Sequence, residues 1–82
     1  MKLCEIRDVI TNVFDFYILS KNKSINITSK QLGISQSTLS RSIKVLESKV
    51  NKKLVVRNYD GIVLTNDGNL FLKEILCFFN TL

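Results

Sequence analysis

A run of small hydroxyl side chains and cations lies between Ser35 and Ser48, and its spacing is helical. The outward positions of this run are Ser37, Arg41, Lys44 and Ser48. Half a turn away, at about 3.6 residues per turn, lie the aliphatic residues Leu39, Ile43, Leu46 and Val50. A solvent-facing helix usually mixes Glu with Lys for pairing, whereas Glu47 is the only acid here. Guanidinium and hydroxyl groups can bond base edges and phosphates, so the pattern favours contact with a nucleic acid.

The positive charge of the chain is concentrated in its middle. From Lys21 to Arg57 there are nine basic residues and one acid, whereas the rest has three basic and six acidic residues. The net charges of the two parts are therefore +8 and −3, which together give the overall +5. A basic centre with acidic flanks is typical of a surface that binds a polyanion. Charge alone is equally consistent with a solvated surface.

The residue types that most enzymes need are missing from the sequence. There is no His, the commonest general base, and no Ser or Thr has a recognisable activating partner. Cys4 and Cys77 lie near opposite ends, so we expect no metal site and no other cofactor. The two thiols are expected to be reduced and half-buried. A disulfide would require the first and last helices to pack together, and the cytosol would oppose it. These absences argue against an enzyme.

Length and composition predict one small cytoplasmic domain. An apolar content of 45% over 82 residues is enough for one packed core. No apolar run reaches the ~18 residues that span a membrane. Charges at Glu5, Arg7 and Asp8 argue against a secretory leader, so we expect a cytoplasmic protein with no membrane contact.

The first segment, from Leu3 to Ser20, has the apolar spacing of an amphipathic helix. Its buried stripe is predicted to contain Leu3, Ile6, Ile10, Val13, Phe14 and Tyr17. Its outward face is predicted to contain Glu5, Asp8, Asn12 and Asp15. Val9 and Phe16 add a second apolar edge, which one core face does not require.

The middle of the chain predicts two helices joined by a tight turn. A short helix from Ile27 to Leu32 would have Asn26 as its N-cap. Gly33 suits the left-handed geometry that ends helices, and Ser35 can cap the next helix, Gln36–Val50. Ile34 and Leu39 could form a hydrophobic staple that fixes the angle between the two helices.

A hairpin and a last helix are predicted for the rest of the chain. Leu54–Thr65 contains two β-favouring runs, with Asp60-Gly61 as the two-residue turn signal. Thr65 can cap a final helix, Asn66–Leu82, which has apolar residues on both sides. A chain this small cannot easily cover both sides, so a second protein chain is expected to cover one of them.

Fourteen of these residues have the spacing of a known family motif. They are Leu32, Ser35, Gln36, Ser37, Leu39, Ser40, Ile43, Leu46, Glu47, Leu54, Arg57, Leu64, Thr65 and Gly68, without insertions. With them the sequence resembles the N-terminal DNA-binding domain of LysR-type transcriptional regulators over nearly its whole length. The resemblance implies a mainly α winged helix-turn-helix: a three-helix core, a two-stranded β wing and a C-terminal linker helix.

The same resemblance implies a function and a division of the chain. Residues 1–64 would form the DNA-binding domain, with the recognition helix at about 36–50 and the wing at about 54–64. Residues 65–82 would form the linker and dimerisation helix. The expected function is sequence-specific binding of double-stranded DNA by a homodimer or higher oligomer. Its recognition helices would enter the major groove of an inverted-repeat operator. The protein would be associated with the bacterial nucleoid when bound.

Individual roles follow from position and residue type. The DNA-binding residues are expected to be Gln36, Ser37, Thr38, Ser40, Arg41, Lys44, Lys52, Lys53 and Arg57. The dimerisation residues are expected to be Val9, Phe16, Leu70, Phe71, Ile75, Phe78 and Phe79. Ser35 and Ser42 are expected to cap or fill space, and Lys30 and Lys49 to be solvated. Glu47 is expected to make a structural bond inside the domain.

The sequence also departs from the family pattern. Thr28 and Ser29 replace two usual Ala residues, and Asn51 replaces a common Gly. The wing tip carries Asp60 where Arg is frequent, which argues against its insertion into the minor groove. Family members usually continue into an effector-binding domain, so this chain would be a fragment or a stand-alone regulator, with no small-molecule site of its own. The alternative function is an interaction module that dimerises with a full-length relative and modulates it.

Overall fold

The described part of the chain folds into four helices and one β-hairpin. The computed structural model describes the backbone of residues 3–81 and the side chains of residues 8–78. The elements are α1 (Leu3–Asn22), α2 (Ile25–Leu32), α3 (Gln36–Val50), β1 (Val55–Asn58), β2 (Gly61–Leu64) and α4 (Asn66–Thr81). This order is the winged helix-turn-helix that the sequence predicts, with the β1–β2 hairpin as its wing.

Residues 3–81 contain no helix that is both long enough and apolar enough to cross a membrane.

The turn between α2 and α3 has the geometry predicted for it. Gly33 is left-handed, with φ 69° and ψ 31°, and its N–H is directed at the carbonyl groups of Lys30 and Ser29. Ser35 caps α3, since its Oγ accepts from the Thr38 N–H at 3.0 Å. Ile34 packs against the core beside α3. The turn is therefore compact, and α3 has the predicted bounds.

The start of α2 lies earlier than predicted. The N-cap is Ser24, whose Oγ accepts from the Ile27 N–H at 3.2 Å, so the prediction of Asn26 as the cap is wrong. Both residue types cap helices equally well in general. Ser24 is selected because α2 then begins at Ile25, which packs against the core.

The wing pairs two short antiparallel strands in the register Val55↔Leu64, Arg57↔Ile62 and Asn58↔Gly61. Its two-residue turn is therefore Tyr59-Asp60, one residue before the predicted Asp60-Gly61. Asn at the first position and Gly at the fourth position are the preferences of a type I turn. The Asn58 side chain supports this turn by accepting from the Asp60 N–H at 3.0 Å.

One core joins all four helices to the wing. Its buried apolar residues are Phe16, Leu19, Leu39, Ile43, Leu46, Leu54, Ile62 and Ile75. The rings of Phe16 on α1 and Phe71 on α4 pack at a centroid distance of 5.7 Å, tilted by 53°. This contact attaches the last helix to the first.

The predicted buried stripe of α1 is partly wrong. Ile10 and Phe14 are exposed, whereas Phe16 and Leu19 are completely buried. Asn12 and Asp15, predicted to point outward, are also buried. Compared with the prediction, α1 is rotated about its axis, so that Asn12 and Asp15 face a hydroxyl group of α3. The spacing of apolar residues cannot reveal such a polar contact.

The start of α4 is fixed by a cap and a close backbone contact. Thr65 is the predicted cap: its Oγ1 accepts from the Gly68 N–H at 2.9 Å. Gly68 lies so close to the residue that precedes β1 that a Cβ built on it would be 2.1 Å from the Leu54 carbonyl oxygen. Only glycine allows α4 to approach the wing this closely.

Candidate nucleic-acid interface

The packing of α3 determines which of its faces is open. Leu39, Ile43 and Leu46 are buried on the inner face. The outward residues Ser37, Arg41, Lys44 and Ser48 are all exposed, as predicted.

At the C-terminal end of α3, Asn51 adopts the left-handed conformation, with φ 57° and ψ 41°, and closes the helix through its N–H to the Glu47 carbonyl. Asn tolerates this geometry, so it can stand where the family commonly has Gly.

Six of the predicted DNA-binding residues line one open depression, which we call the reading cleft. They are Gln36, Ser37, Ser40, Arg41, Lys44 and Arg57. Arg57 reaches the cleft from β1, and its Nη2 donates to Ser40 Oγ at 3.1 Å. The lining has three cations and no acid, so its field favours an anionic ligand.

A second depression, the wing cleft, lies between α3 and the hairpin and continues the cationic surface. Lys44, Arg57 and Ser40 line both clefts, and Lys53 joins them in the wing cleft. Glu47 also lines the wing cleft. Lys53 and Arg57, both predicted to bind DNA, therefore lie beside the outward face of α3.

The carboxylate of Glu47 is used inside the domain. Its Oε2 accepts from the backbone N–H groups of Leu54 and Val55, at 2.8 and 3.3 Å. These bonds attach the end of α3 to the start of the wing, which confirms the structural role predicted for Glu47. The carboxylate that borders the wing cleft is thus already hydrogen-bonded to two backbone N–H groups.

Two residues of the predicted DNA-binding set lie away from both clefts. Thr38 borders a depression between α1 and α3, and its Oγ1 accepts from the Ser35 hydroxyl at 2.8 Å. Lys52 lies on the side of α4, where its Nζ is 3.8 Å from Asp67 Oδ1. Sequence position could not separate Lys52 from Lys53, because the chain changes direction there between α3 and β1.

The opposite flank of α3 is held by a polar contact with α1. Ser42 Oγ lies 2.8 Å from Asn12 Oδ1 and 2.7 Å from Asp15 Oδ2. Ser42 therefore positions the helix, where the sequence predicted a cap or space-filling residue.

Asn26 on α2 was also missed: its Oδ1 accepts from Gln36 Nε2 at 3.3 Å and orients that side chain at the start of α3. No sequence signal marks either contact, because both depend on how helices pack.

An apolar groove lies on another face of the molecule. Exposed Ile10, Phe14 and Phe78 line it, together with Val9 and Phe71. Its edge includes Lys49 and Glu74. The groove is built from α1, α3 and α4, which include the two helices predicted to form the subunit contact.

The predicted dimerisation residues are divided by the fold. Val9, Phe71 and Phe78 line the apolar groove, and Leu70 is exposed beside Lys52 on a neighbouring side of α4. The prediction that Phe16 lies on an outward edge is wrong, because it has 0% exposure and packs in the core. Ile75 borders the groove but is also buried in the core.

The remaining side-chain predictions concern residues near the two ends of the chain. The side chains of Leu3, Cys4, Glu5, Ile6 and Phe79, for which the sequence made predictions, lie outside the described residues. Cys77 is exposed, where the sequence predicted a half-buried thiol.

The sequence matches a known family over most of its length. A family model described as a bacterial regulatory helix-turn-helix protein of the lysR family matches residues 13–69. An uncharacterised HTH-type transcriptional regulator of Vibrio cholerae is 43% identical over 65 residues, which cover 79% of this chain and 23% of that protein. The chain spans about a fifth of the length of the curated relatives it matches.

The fold matches solved structures of the same kind. The crystal structure of Vibrio fischeri DarR in complex with DNA has 33% sequence identity and a TM-score of 0.74, covering 82% of this chain and 23% of that chain. The CbnR DNA-binding domain in complex with DNA has 24% identity and a TM-score of 0.79, covering 87% of this chain and 82% of that chain. The second likeness shows the fold alone.

Proposed function

Because the chain belongs to the lysR family of bacterial regulatory helix-turn-helix proteins, we propose that it binds double-stranded DNA sequence-specifically as part of a transcription regulator. The observation that carries this proposal is the open reading cleft, with its three cations and its hydroxyl groups on α3. Relatives named as transcriptional regulators support a role that is not enzymatic. The site of action would be the cytoplasm, at the nucleoid.

In this proposal α3 enters the major groove with its first turns against the bases. Gln36 and Ser37 lie at the start of α3, where side chains and free N–H groups meet base edges and phosphate. Arg41 follows about one turn later and can bond a guanine edge with two hydrogen bonds. Lys44, Lys53 and Arg57 would contact phosphates, which position the protein without specifying sequence.

The bond between Arg57 and Ser40 couples the wing to the recognition helix. Because the Arg57 guanidinium donates to Ser40 Oγ at 3.1 Å, one of its nitrogen atoms is fixed at the edge of the reading cleft. The rest of this planar group keeps donors that can reach a phosphate. Arg57 would thereby define how far α3 can enter the groove.

A homodimer would place two reading clefts on one operator. The apolar groove of α1, α3 and α4 would supply a surface for a second copy, with Phe14 and Phe78 as its exposed aromatic side chains. Two-fold symmetry would then require inverted half-sites about one helical turn of DNA apart, or a multiple of it. Residues 1–64 would form the DNA-binding domain and residues 65–82 the linker helix between subunits.

The geometry favours this function over a module that only pairs with a full-length relative. Such a module would need the apolar groove, but it would have no use for three cations around a cleft on another face. The reading cleft therefore supports DNA binding over pairing alone.

Selection of bound duplexes from a random pool tests the proposal. We expect enrichment of an inverted repeat whose half-site spacing matches successive major grooves. We also expect affinity to fall steeply between about 50 and 200 mM salt, because bound cations release counterions from the DNA. Recovery of no enriched sequence, with binding equal on all duplexes, would contradict sequence-specific recognition.

A further inference from the structure

One side-chain hydrogen bond joins α2 to the first residue of α3. Gln36 donates from its Nε2 to Asn26 Oδ1 at 3.3 Å. Gln36 lines the reading cleft, whereas Asn26 is not among the described residues that line it. Asn26 therefore holds a residue of the cleft from outside the cleft itself.

Capping of α2 does not explain the side chain of Asn26. The cap is Ser24, whose Oγ accepts from the Ile27 N–H at 3.2 Å. Asn26 is the second residue of the helix, and its side chain is exposed. The contact with Gln36 thus gives this amide a role that capping does not.

The backbone that carries the two amides is fixed on both sides of the turn. The hydroxyl group of buried Ser29 donates to the Asn26 carbonyl at 2.9 Å. The Ile34 N–H donates to the Ser29 carbonyl at 3.0 Å, which holds the turn that leads into α3. Ser35 then caps the first turn of α3. The turn itself therefore keeps Asn26 and Gln36 within bonding distance.

The bond to Asn26 gives the Gln36 amide one orientation. A glutamine amide has two N–H donors and one carbonyl acceptor, and Asn26 occupies one of the donors. One N–H and Oε1 remain for a ligand. A free glutamine can rotate its amide by half a turn and exchange these two groups. Here such a reversal would require both amides to rotate together.

Adenine offers groups that match this orientation. In the major groove adenine presents the N7 acceptor beside the N6 donor, whereas guanine presents two acceptors, N7 and O6. One N–H and one carbonyl oxygen can bond both groups of adenine. Against guanine, the carbonyl oxygen would face a second acceptor. A glutamine therefore discriminates between these purines best when its amide cannot reverse.

We propose that Asn26 is a positioning residue for base recognition. By holding the Gln36 amide from α2, it makes Gln36 select adenine over guanine at one base pair of the site. This inference rests on the proposed DNA-binding function and deepens it, because it names a base and a residue that acts through Gln36. Asn26 itself contacts no base, so it governs specificity and not general affinity.

The test begins by locating the base pair that Gln36 reads. Random-pool selection with the unsubstituted protein and with Gln36→Ala identifies the position at which only the variant loses its preference. Affinities are then measured for four duplexes that differ at that position alone. We expect the unsubstituted protein to prefer adenine over guanine roughly tenfold or more. Asn26→Ala should lose most of this preference and keep the preferences at all other positions.

Two further variants separate positioning from a direct contact with DNA. The double variant Asn26→Ala with Gln36→Ala should lose no more preference than Gln36→Ala alone, because Asn26 acts through Gln36. Asn26→Asp keeps an acceptor for Gln36 Nε2 and should keep the preference for adenine. Its added negative charge should weaken binding to all four duplexes alike.

Gln31→Ala is a matched control on the same helix. Gln31 is another exposed amide of α2, but its Oε1 accepts from Asn22 Nδ2 of α1 at 2.8 Å and so makes no bond to α3. The control should leave every base preference unchanged. Because Asn26, Gln31 and Gln36 are all exposed, thermal unfolding should show every variant folded.

The outcomes distinguish this inference from the proposed function. The inference is overturned, and the function stands, if a specific protein prefers a base other than adenine at that position. The same holds if Asn26→Ala behaves as Gln31→Ala does, or if Gln36→Ala changes no preference. Losses that add in the double variant, or a loss of preference in Asn26→Asp, also overturn it. If the unsubstituted protein prefers no sequence at all, the proposed function fails as well.

Discussion

Ser42 shows how one small hydroxyl group can fix the orientation of a helix, here α3. It lies within 2.8 Å of an amide oxygen of Asn12 and a carboxylate oxygen of Asp15, both buried on α1. A buried carboxylate that loses its donor keeps the full cost of its desolvation. The contact therefore sets the rotation of α3 against α1, and through it the direction in which Arg41 points.

Ser42→Ala is expected to lower the free energy of unfolding by about 1 to 3 kcal/mol, because the one hydroxyl proton that the buried acceptors Asn12 Oδ1 and Asp15 Oδ2 share is lost. Urea denaturation followed by circular dichroism measures this change. Ser48→Ala, an exposed serine on the same helix, is the control and should shift stability by no more than about 0.5 kcal/mol. Equal urea midpoints for Ser42→Ala and Ser48→Ala would show that the Ser42 contact contributes nothing to stability.

Polar residues that depart from the family pattern are also satisfied locally. Thr28 and Ser29 are buried where Ala is usual. Thr28 Oγ1 accepts from Asn22 Nδ2 at 3.1 Å, and the Ser29 hydroxyl donates to the Asn26 carbonyl at 2.9 Å. The short helix α2 thus accommodates two hydroxyl groups in an interior position without losing hydrogen bonds.

At the scale of elements, short-range rules predicted most of the fold. The bounds of α3, the left-handed Gly33 and the caps Ser35 and Thr65 all follow from neighbouring residues. The wing turn was misplaced by one residue because two turn signals overlap in Asn58–Gly61, and the Asn58 side chain decides between them.

Long-range contacts explain what the sequence could not predict. The rotation of α1 depends on Ser42, thirty and twenty-seven residues away from Asn12 and Asp15. The separation of Lys53 from Lys52 likewise depends on where the chain turns into β1. The set of α3 residues in the reading cleft was predictable, because a helix places them on one face regardless of its partners.

Gly68→Ala is expected to destabilise the protein by about 1 to 3 kcal/mol or more, because its Cβ would meet the Leu54 carbonyl at 2.1 Å. That carbonyl cannot easily move: it accepts from the Thr65 N–H, and the Leu54 N–H is bonded to Glu47. Thermal unfolding is the measurement. Asn69→Ala, the exposed next residue, serves as control, and an unfolding temperature of Gly68→Ala no lower than that of Asn69→Ala would refute the close contact.

At the scale of the molecule, two different surfaces are separated. The reading and wing clefts are cationic and hydroxyl-rich, whereas the groove between α1 and α4 is lined mainly by apolar side chains. A large exposed apolar patch in a small domain is usually covered by another protein surface. In the proposed function, this separation would let a second copy bind without blocking DNA.

Phe14→Glu is expected to convert a homodimer into monomers, because it places a charge in the apolar groove. Sedimentation velocity over a concentration series measures the change in mass. Ile27→Glu is a matched control, since Ile27 on α2 and Phe14 are both 51% exposed but only Phe14 lines the groove. Dimers that persist in Phe14→Glu, or dissociate equally in Ile27→Glu, would contradict pairing through this surface.

The central claim is that the open face of α3 reads DNA sequence, and Arg41 tests it most directly. The measurement is the ratio of affinities for the selected duplex and a scrambled duplex of equal length, compared for Arg41→Ala, Lys53→Ala and Lys49→Ala. We predict that Arg41→Ala loses about 1 to 3 kcal/mol of discrimination. Lys53→Ala should weaken binding to both duplexes alike, and Lys49→Ala should change binding to neither duplex. An unchanged ratio in Arg41→Ala would contradict the account.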